Sequence, residues 1–251
     1  MERTGTLDRG DGVQLAWAHL PGRSPTVVFL PGFNSDMTGT KATELAALCA
    51  ATGQAMLRFD YSGHGASGGA FTDGTIGRWA QDALAVIDRV ADGPLLLVGS
   101  SMGGWIALLA ALARPGSVTG LVGIAAAPDF TERLMWQAMS PTEQDTLTRQ
   151  GRLEIPSEYG DPYTITMGLI EDGRRHLMLG APIPLTCPVR LLHGQLDADV
   201  PWEQALTLAA QLTATDVQVT LIKDGDHRLS RPQDLALLRR TVATLLGQDG
   251  A

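Results

Sequence analysis

Basic residues are few and scattered in this 251-residue chain. Lys and Arg number 19 against 27 Asp and Glu, the formal net charge is −8, and no Lys/Arg cluster occurs. With a sequence pI near 5.0, an electrostatic footprint for nucleic acid is excluded, and an anionic membrane surface would repel the chain. Cysteine is scarcer still. Cys49 sits in an apolar, helix-like stretch and Cys187 just before Pro188, with neither C-x-x-C nor metal-ligand spacing around them, so both read as buried free thiols. No apolar run is long enough to cross a bilayer unbroken, and the opening MERTGTLDRGDG lacks the apolar region of a signal peptide. A cytoplasmic protein without stable membrane insertion is the expectation. Repeats, low-complexity stretches and interdomain linkers are also missing. What the chain has in quantity is apolar residues, 44% of the total against 18% charged. That is enough for one large core, or for one domain with a small excursion.

Those apolar residues fall into two alternating patterns. Short runs at VQLAWAHL (13–20), TVVFLP (26–31), AMLRFD (55–60), PLLLVG (94–99), VTGLVGIAA (118–126), VRLLHG (189–194) and VQVTLI (217–222) read as strands, several apolar on both faces as buried parallel strands must be. Between them KATELAALCAATG, IGRWAQDALAVIDRVADG, MGGWIALLAALARPG, PWEQALTLAAQLTA and RPQDLALLRRTVATLLG carry apolar residues three and four apart and read as helices. The alternation predicts an α/β architecture, a mainly parallel sheet with helices on both faces. Its first two strands, joined without a helix, are expected to form an antiparallel edge. One segment breaks the rhythm: about 60 residues separate the strand ending near Ala127 from the one starting at Pro188, far beyond an ordinary connection. It is expected to form a cap of two or three short helices over 129–186, inserted into a core made of 1–128 and 187–251.

The strand-to-helix turn Gly99-Ser100-Ser101-Met102-Gly103 fits G-x-S-x-G. Glycines two places either side of Ser101 let a helix leave the strand so abruptly that the serine hydroxyl stands clear on a strained backbone. Centring the pattern on Ser100 would put Val98 and Met102 where strand and helix pass closely, so Ser101 is the candidate nucleophile. At the first turn of that helix, the Met102 N–H is positioned to meet an oxyanion, aided by the helix dipole. A plain glycine-rich turn or a phosphate cradle would share the pentapeptide, although GxxxxGK[ST] is absent.

A serine nucleophile needs a base, and the base an orienting acid, in the chain order Ser, Asp/Glu, His. VRLLHGQLDADVP puts Asp197 in the loop after one apolar strand, and VTLIKDGDHRLS puts His227 in the loop after the next. At the carboxyl ends of a parallel sheet these loops converge. Asp199 competes with Asp197 for the role of acid. Asp224, Asp226 and His227 form too thin a set for a metal, so no metal is expected. His193, at the end of a strand, reads as structural, and His64, in DYSGHGASGG, as a turn residue able to line a pocket. FLPGFNSD, after the strand at 26–31, offers the Phe33 N–H as the second oxyanion donor.

With these residues in place the chain resembles the serine hydrolases of the α/β-hydrolase fold. Within them it more closely resembles the abhydrolase group of acyl-glucuronide esterases and palmitoyl-protein thioesterases and their bacterial relatives. LPGFNSDMTGTKA, LRFDYSGHGASGG, DGPLLLVGSSMGGW, RPGSVTGLVGIAAAPDF, TCPVRLLHG and GDHR carry the likeness, from about Val27 to the last helix. The resemblance implies an eight-stranded, mainly parallel sheet with a small helical cap. It also implies a triad of Ser101, Asp197 and His227, with the HG-x-x-D spacing favouring Asp197, and oxyanion donors at Phe33 and Met102. Pro31 stands where many such loops carry His, removing a polar contact from the pocket. The Ala-rich, Gly-rich make-up suggests a bacterial version.

The expected chemistry is hydrolysis of carboxylic esters or thioesters through an acyl-enzyme, without metal or organic cofactor. Substrates are expected to be small molecules or acylated species with apolar acyl groups, for which the cap offers Leu134, Met135, Trp136, Met139, Met167, Leu169 and Met178. Trp136, Met139 and Met167 are the expected contacts, although helical Met and Trp also serve plain packing. Nucleic acid is not an expected partner, and the oligomeric state is not legible. The fold also supports C–C bond hydrolases, cofactor-free haloperoxidases and non-catalytic ligand-binding members, and these remain alternatives at this stage.

Overall fold

In the protein, for which the structure is a computed structural model describing residues 1–157 and 160–248, each apolar run becomes a strand of one sheet. The strands are β1 (Arg3–Asp8), β2 (Gln14–Leu20), β3 (Arg23–Leu30), β4 (Gln54–Phe59), β5 (Leu95–Ser100) and β6 (Val118–Ile124). Two further strands, β9 (Val189–Gly194) and β10 (Val217–Ile222), complete an eight-stranded sheet in the order β1-β2-β4-β3-β5-β6-β9-β10. From β4 to β10 every pairing is parallel, whereas β1–β2 and β2–β4 are antiparallel. β5 lies mid-sheet and all six of its residues are buried. Both of its faces are therefore covered, and its LLLVGS composition follows from that.

Helices cover the two faces. α1 (Thr40–Thr52) and α7 (Pro232–Leu245) lay Leu45, Cys49, Leu238 and Val242 against one side, beside Val27, Val98 and Val122 of the strands. On the other side α2 (Ile76–Val90), α3 (Met102–Ala113) and α6 (Glu203–Gln211) bring Trp79, Trp105, Ile106 and Leu208 against Val28, Leu97 and Leu121.

The antiparallel edge is not the pair of strands at 13–20 and 26–31, because β2 hydrogen-bonds to β4 and to β1, never to β3. β1 reads RTGTLD and is mostly exposed, so it had no apolar signal; its place is set by backbone pairing to the buried strand β2.

The segment between β6 and β9 also contains more than helices. A π-helical turn at Thr131–Met135 and a 3₁₀ turn at Trp136–Ala138 precede α4 (Pro141–Gln150). A hairpin of β7 (Arg152–Ser157) and β8 (Gly160–Thr166) follows, and then α5 (Met167–Arg175). The start of α4 is set by a Ser140/Glu143 capping box with Pro141 in its first turn, and its end by left-handed Gly151. Tyr-Thr-Ile-Thr at 163–166, within the segment expected to be helical, is strand, as its β-branched residues favour. Ile155 faces Tyr163 and Leu153 faces Ile165 across the hairpin.

One buried carboxylate closes this segment on itself, and another ties it to the core. Asp129, itself left-handed at φ 62, accepts the Met178 and Leu179 N–H at 2.8 and 3.0 Å. Asp172 of α5 accepts the Gly77 N–H at the start of α2 at 2.6 Å.

Candidate active site

Glycine at 99 and 103 is demanded by the turn between β5 and α3. A Cβ on Gly103 would stand 2.0 Å from the Leu30 carbonyl oxygen, and one on Gly99 2.2 Å from the Gly103 carbonyl oxygen; neither distance is tolerable. Between them Ser101 adopts φ 54, ψ −120, a region that L-residues avoid and that persists only when neighbours impose it. The Ser101 N–H donates to Ile124 O at 2.9 Å, and its carbonyl accepts from Ala127 N at 3.1 Å and Gly104 N at 2.9 Å. Held on both sides, the residue projects its hydroxyl beyond the carboxyl edge of the sheet.

The same edge carries the other two groups. Gly194 ends β9 against Gly225, just beyond β10; a Cβ on Gly194 would meet the Gly225 carbonyl oxygen at 2.2 Å. Leu196 N–H donates to that same oxygen at 2.8 Å. The loops bearing Asp197 and His227 are thereby locked together. His227 Nε2 lies 3.1 Å from Ser101 Oγ and His227 Nδ1 2.8 Å from Asp197 Oδ2. With Nδ1–H donating to the carboxylate, Nε2 is free to accept from the serine hydroxyl.

Asp197 has no solvent-exposed side-chain surface. Burial alone would raise its pKa, but hydrogen bonds from His193, His227 and the Val200 amide outweigh that and hold it well below the usual carboxylate range. The Asp199 and Val200 N–H groups donate to Oδ1 at 2.9 and 2.8 Å. His193 Nε2 lies 3.1 Å from Oδ2 and 2.9 Å from Val200 O. His193, read as structural from the sequence, is thus a second imidazole on the same carboxylate; its i,i+4 spacing to Asp197 was the available signal. Asp199 is exposed, at the rim, and contributes its backbone N–H to this network.

Asp197, Asp199 and His227 bring three potential metal-donor atoms within 4.8 Å of one another, yet two of the three residues are already engaged with each other and with Ser101. Asp224 ion-pairs with Arg231 and Asp226 accepts the Leu229 N–H, so those two carboxylates are occupied away from His227.

Beside Ser101 runs the loop after β3. Gly32 abuts the serine, a Cβ there falling 3.4 Å from Ser101 Cβ. The Phe33 ring meets Phe71, Trp79, Phe130 and Tyr163 edge-on, with centroids 5.0 to 5.9 Å apart. Met102 is the first residue of α3, so its N–H has no acceptor within the helix.

These groups open into a cavity of about 670 Å³. Its walls include Phe33, Lys41, Phe130, Leu134, Met135 and Tyr163 around Ser101 and His227. Lys41 Nζ donates to Arg228 O at 2.5 Å, and burial pushes its pKa down to about 8. Of the expected cap contacts, Trp136, Met139 and Met167 are not in the wall; they pack partly buried against the core. The π-helical turn explains the difference. It spends Leu134 and Met135 on the cavity, while Trp136 just beyond it takes the Arg174 guanidinium over its ring at 4.7 Å.

Comparison with known proteins agrees with this architecture. The family described as serine aminopeptidase, S33, matches residues 23–153. The mouse palmitoyl-protein thioesterase ABHD10, a mitochondrial protein, is 41% identical over 242 residues, covering 96% of this chain and 81% of that one. Among solved structures, a hydrolase from Agrobacterium vitis S4 superposes with a TM-score of 0.92 at 45% identity, covering 98% of each chain. The mouse α/β-hydrolase domain-containing protein 10 superposes at 0.91 and 40% identity, covering 98% of this chain and 99% of that one.

Proposed function

The chain belongs to the α/β-hydrolase family and is a serine hydrolase of ester or thioester bonds, and from that premise we propose that Ser101, His227 and Asp197 are its catalytic triad. The observation that carries the reading is the continuous relay from Ser101 Oγ through His227 to Asp197, with steps of 3.1 and 2.8 Å.

His227 Nε2 removes the Ser101 proton as Oγ attacks the acyl carbonyl. Asp197 keeps the proton of the neutral ring on Nδ1 and stabilises the imidazolium that forms. The Phe33 and Met102 amides receive the charge that develops on the carbonyl oxygen, a contribution worth about a hundredfold or more per donor. His227 then returns the proton to the departing alcohol or thiol. Water, activated by the same imidazole, clears the acyl-enzyme.

The acyl group is proposed to lie along Phe33, Phe130, Leu134 and Met135, whose apolar and partly flexible side chains suit an adaptable chain. The segment 129–186 is proposed to act as the cap over it. Thioesters of apolar acids, including acylated cysteine, are the proposed substrates, supported by the thioesterase activity that names the mouse relative. A bacterial cytoplasm is the proposed location. The Agrobacterium relative and two free, buried cysteines, which fit a reducing compartment, support it. Among the described residues no helix is long and apolar enough to cross a membrane.

The test is turnover of p-nitrophenyl butyrate and of an acyl-thioester chain-length series by the wild type and Ser101→Ala. Wild-type turnover with none in a folded Ser101→Ala is expected; equal activity in the two would reject the assignment.

A further inference from the structure

The GHG turn after β4 packs against the loop that carries Phe33, and its histidine makes a contact that the triad does not need. His64 is 4% exposed and sits among the rings of Tyr61, Phe71 and Trp79, with centroids 5.1 to 5.8 Å away. Its Nδ1 lies 3.2 Å from Ser62 O. A carbonyl oxygen can only accept, so Nδ1 carries the hydrogen, and Nε2 of the neutral ring is left as an acceptor. Facing that nitrogen at 3.3 Å is the backbone N–H of Asn34. Only the neutral, Nδ1-protonated form satisfies both contacts.

Asn34 is left-handed at φ 53, in a turn closed by Ser35 N–H donating to Gly32 O at 3.3 Å. The far end of the loop is fastened separately, by Met37 N–H donating to Asp60 Oδ1 at 2.7 Å. His64 therefore fixes the peptide between Phe33 and Asn34, next to the amide assigned to the oxyanion.

We infer that His64 is a positioning residue of the reaction: as a neutral hydrogen-bond acceptor it holds the Phe33–Asn34 peptide so that the Phe33 N–H is aimed at the developing oxyanion. The inference rests on the reading of Ser101 and Phe33 given above. The charges facing the ring are Asp82 of α2 and Asp36 of the loop. Burial lowers the His64 pKa and outweighs the bond to Ser62 O and both carboxylates, which raise it. The ring is thereby kept neutral, as its acceptor role requires.

Gln places an amide oxygen near the position of Nε2, whereas Phe fills the aromatic cage and leaves the Asn34 N–H without an acceptor. With p-nitrophenyl butyrate, His64→Phe is expected to lower kcat about tenfold or more with KM within about twofold, since the donor acts chiefly in the transition state. Affinity for a trifluoromethyl ketone analogue should fall in parallel, and His64→Gln should keep kcat within about threefold of wild type on the same reasoning. Wild-type kcat in the Phe variant, a loss confined to KM, or a Gln variant as slow as the Phe variant would each overturn the inference.

Should the Phe variant not fold, the ring of the wild type decides. Long-range ¹H–¹⁵N correlation should show His64 protonated on Nδ1 alone, and a hydrogen on Nε2 would overturn the inference. A wild type without turnover would sink the esterase reading instead. An active wild type, an inactive Ser101→Ala and an unaffected His64→Phe would remove only the role of His64.

Discussion

Asp197 collects two backbone amides and two imidazoles in a space closed to water. Such a carboxylate bears on stability and, in its proposed role, on chemistry. Asp197→Asn presents an NH₂ or a weaker acceptor to His227, destabilising the Nδ1–H tautomer; kcat for ester hydrolysis should fall by about 10⁴ by the logic of serine triads, and stopped-flow acylation would read it. A loss under about tenfold would count against the assigned role. The stability effect has a sign. Because the folded-state pKa is depressed, the stabilisation is fully present above the unfolded carboxyl value of about 3.9 and fades as pH falls from there toward the lower folded value. Melting temperatures of wild type and Asp197→Asn should therefore differ most near neutrality and converge below about pH 4. A gap that widened on acidification would contradict the assignment.

Elements meet at this site only where glycine allows. Gly103→Ala would drive a methyl group into the Leu30 carbonyl, and since backbone on both sides must shift, a cost of about 1–3 kcal/mol or more is expected. Urea unfolding would show it, and an unchanged midpoint would be inconsistent with so close a crossing. In the inserted segment, Asp129→Ala leaves the Met178 and Leu179 amides buried without their acceptor, at about 1–3 kcal/mol for each unsatisfied group. Hydrogen exchange at those two amides should accelerate while the β5 amides stay protected; equal protection in variant and wild type would show that the carboxylate is not the anchor.

What was legible at this scale followed from burial. The central strands advertise two buried faces, and the G-x-S-x-G spacing reports the same backbone crossing that the 2.0 Å clearance at Gly103 measures. β1 was silent because an exposed edge strand needs no apolar pattern. The β7–β8 hairpin is not legible in the pattern, because Tyr-Thr-Ile-Thr runs directly into the amphipathic helix α5.

Across the whole molecule, the sheet makes three distant residues neighbours. Ser101, Asp197 and His227 each follow a strand, so chain order and the parallel arrangement sufficed to predict their convergence. The cavity wall was legible only in part: Leu134 and Met135 stand among the apolar residues the cap offers, but which of them reach the cavity depends on how the segment folds back, and Leu134 and Met135 of the π-helical turn line it while Trp136 does not. Met135→Ala should accordingly shift the preferred acyl chain length, by several-fold in kcat/KM per methylene at about 0.8 kcal/mol each. Trp136→Ala should leave the preference unchanged, and the opposite pattern would refute this wall assignment.

The most direct measurement is fluorophosphonate labelling of the purified protein, read by intact mass and peptide mapping. A single adduct on Ser101 is predicted, absent in Ser101→Ala and strongly slowed in His227→Gln. An adduct on another residue, or labelling undiminished in Ser101→Ala, would contradict the claim that this hydroxyl, imidazole and carboxylate work as one unit.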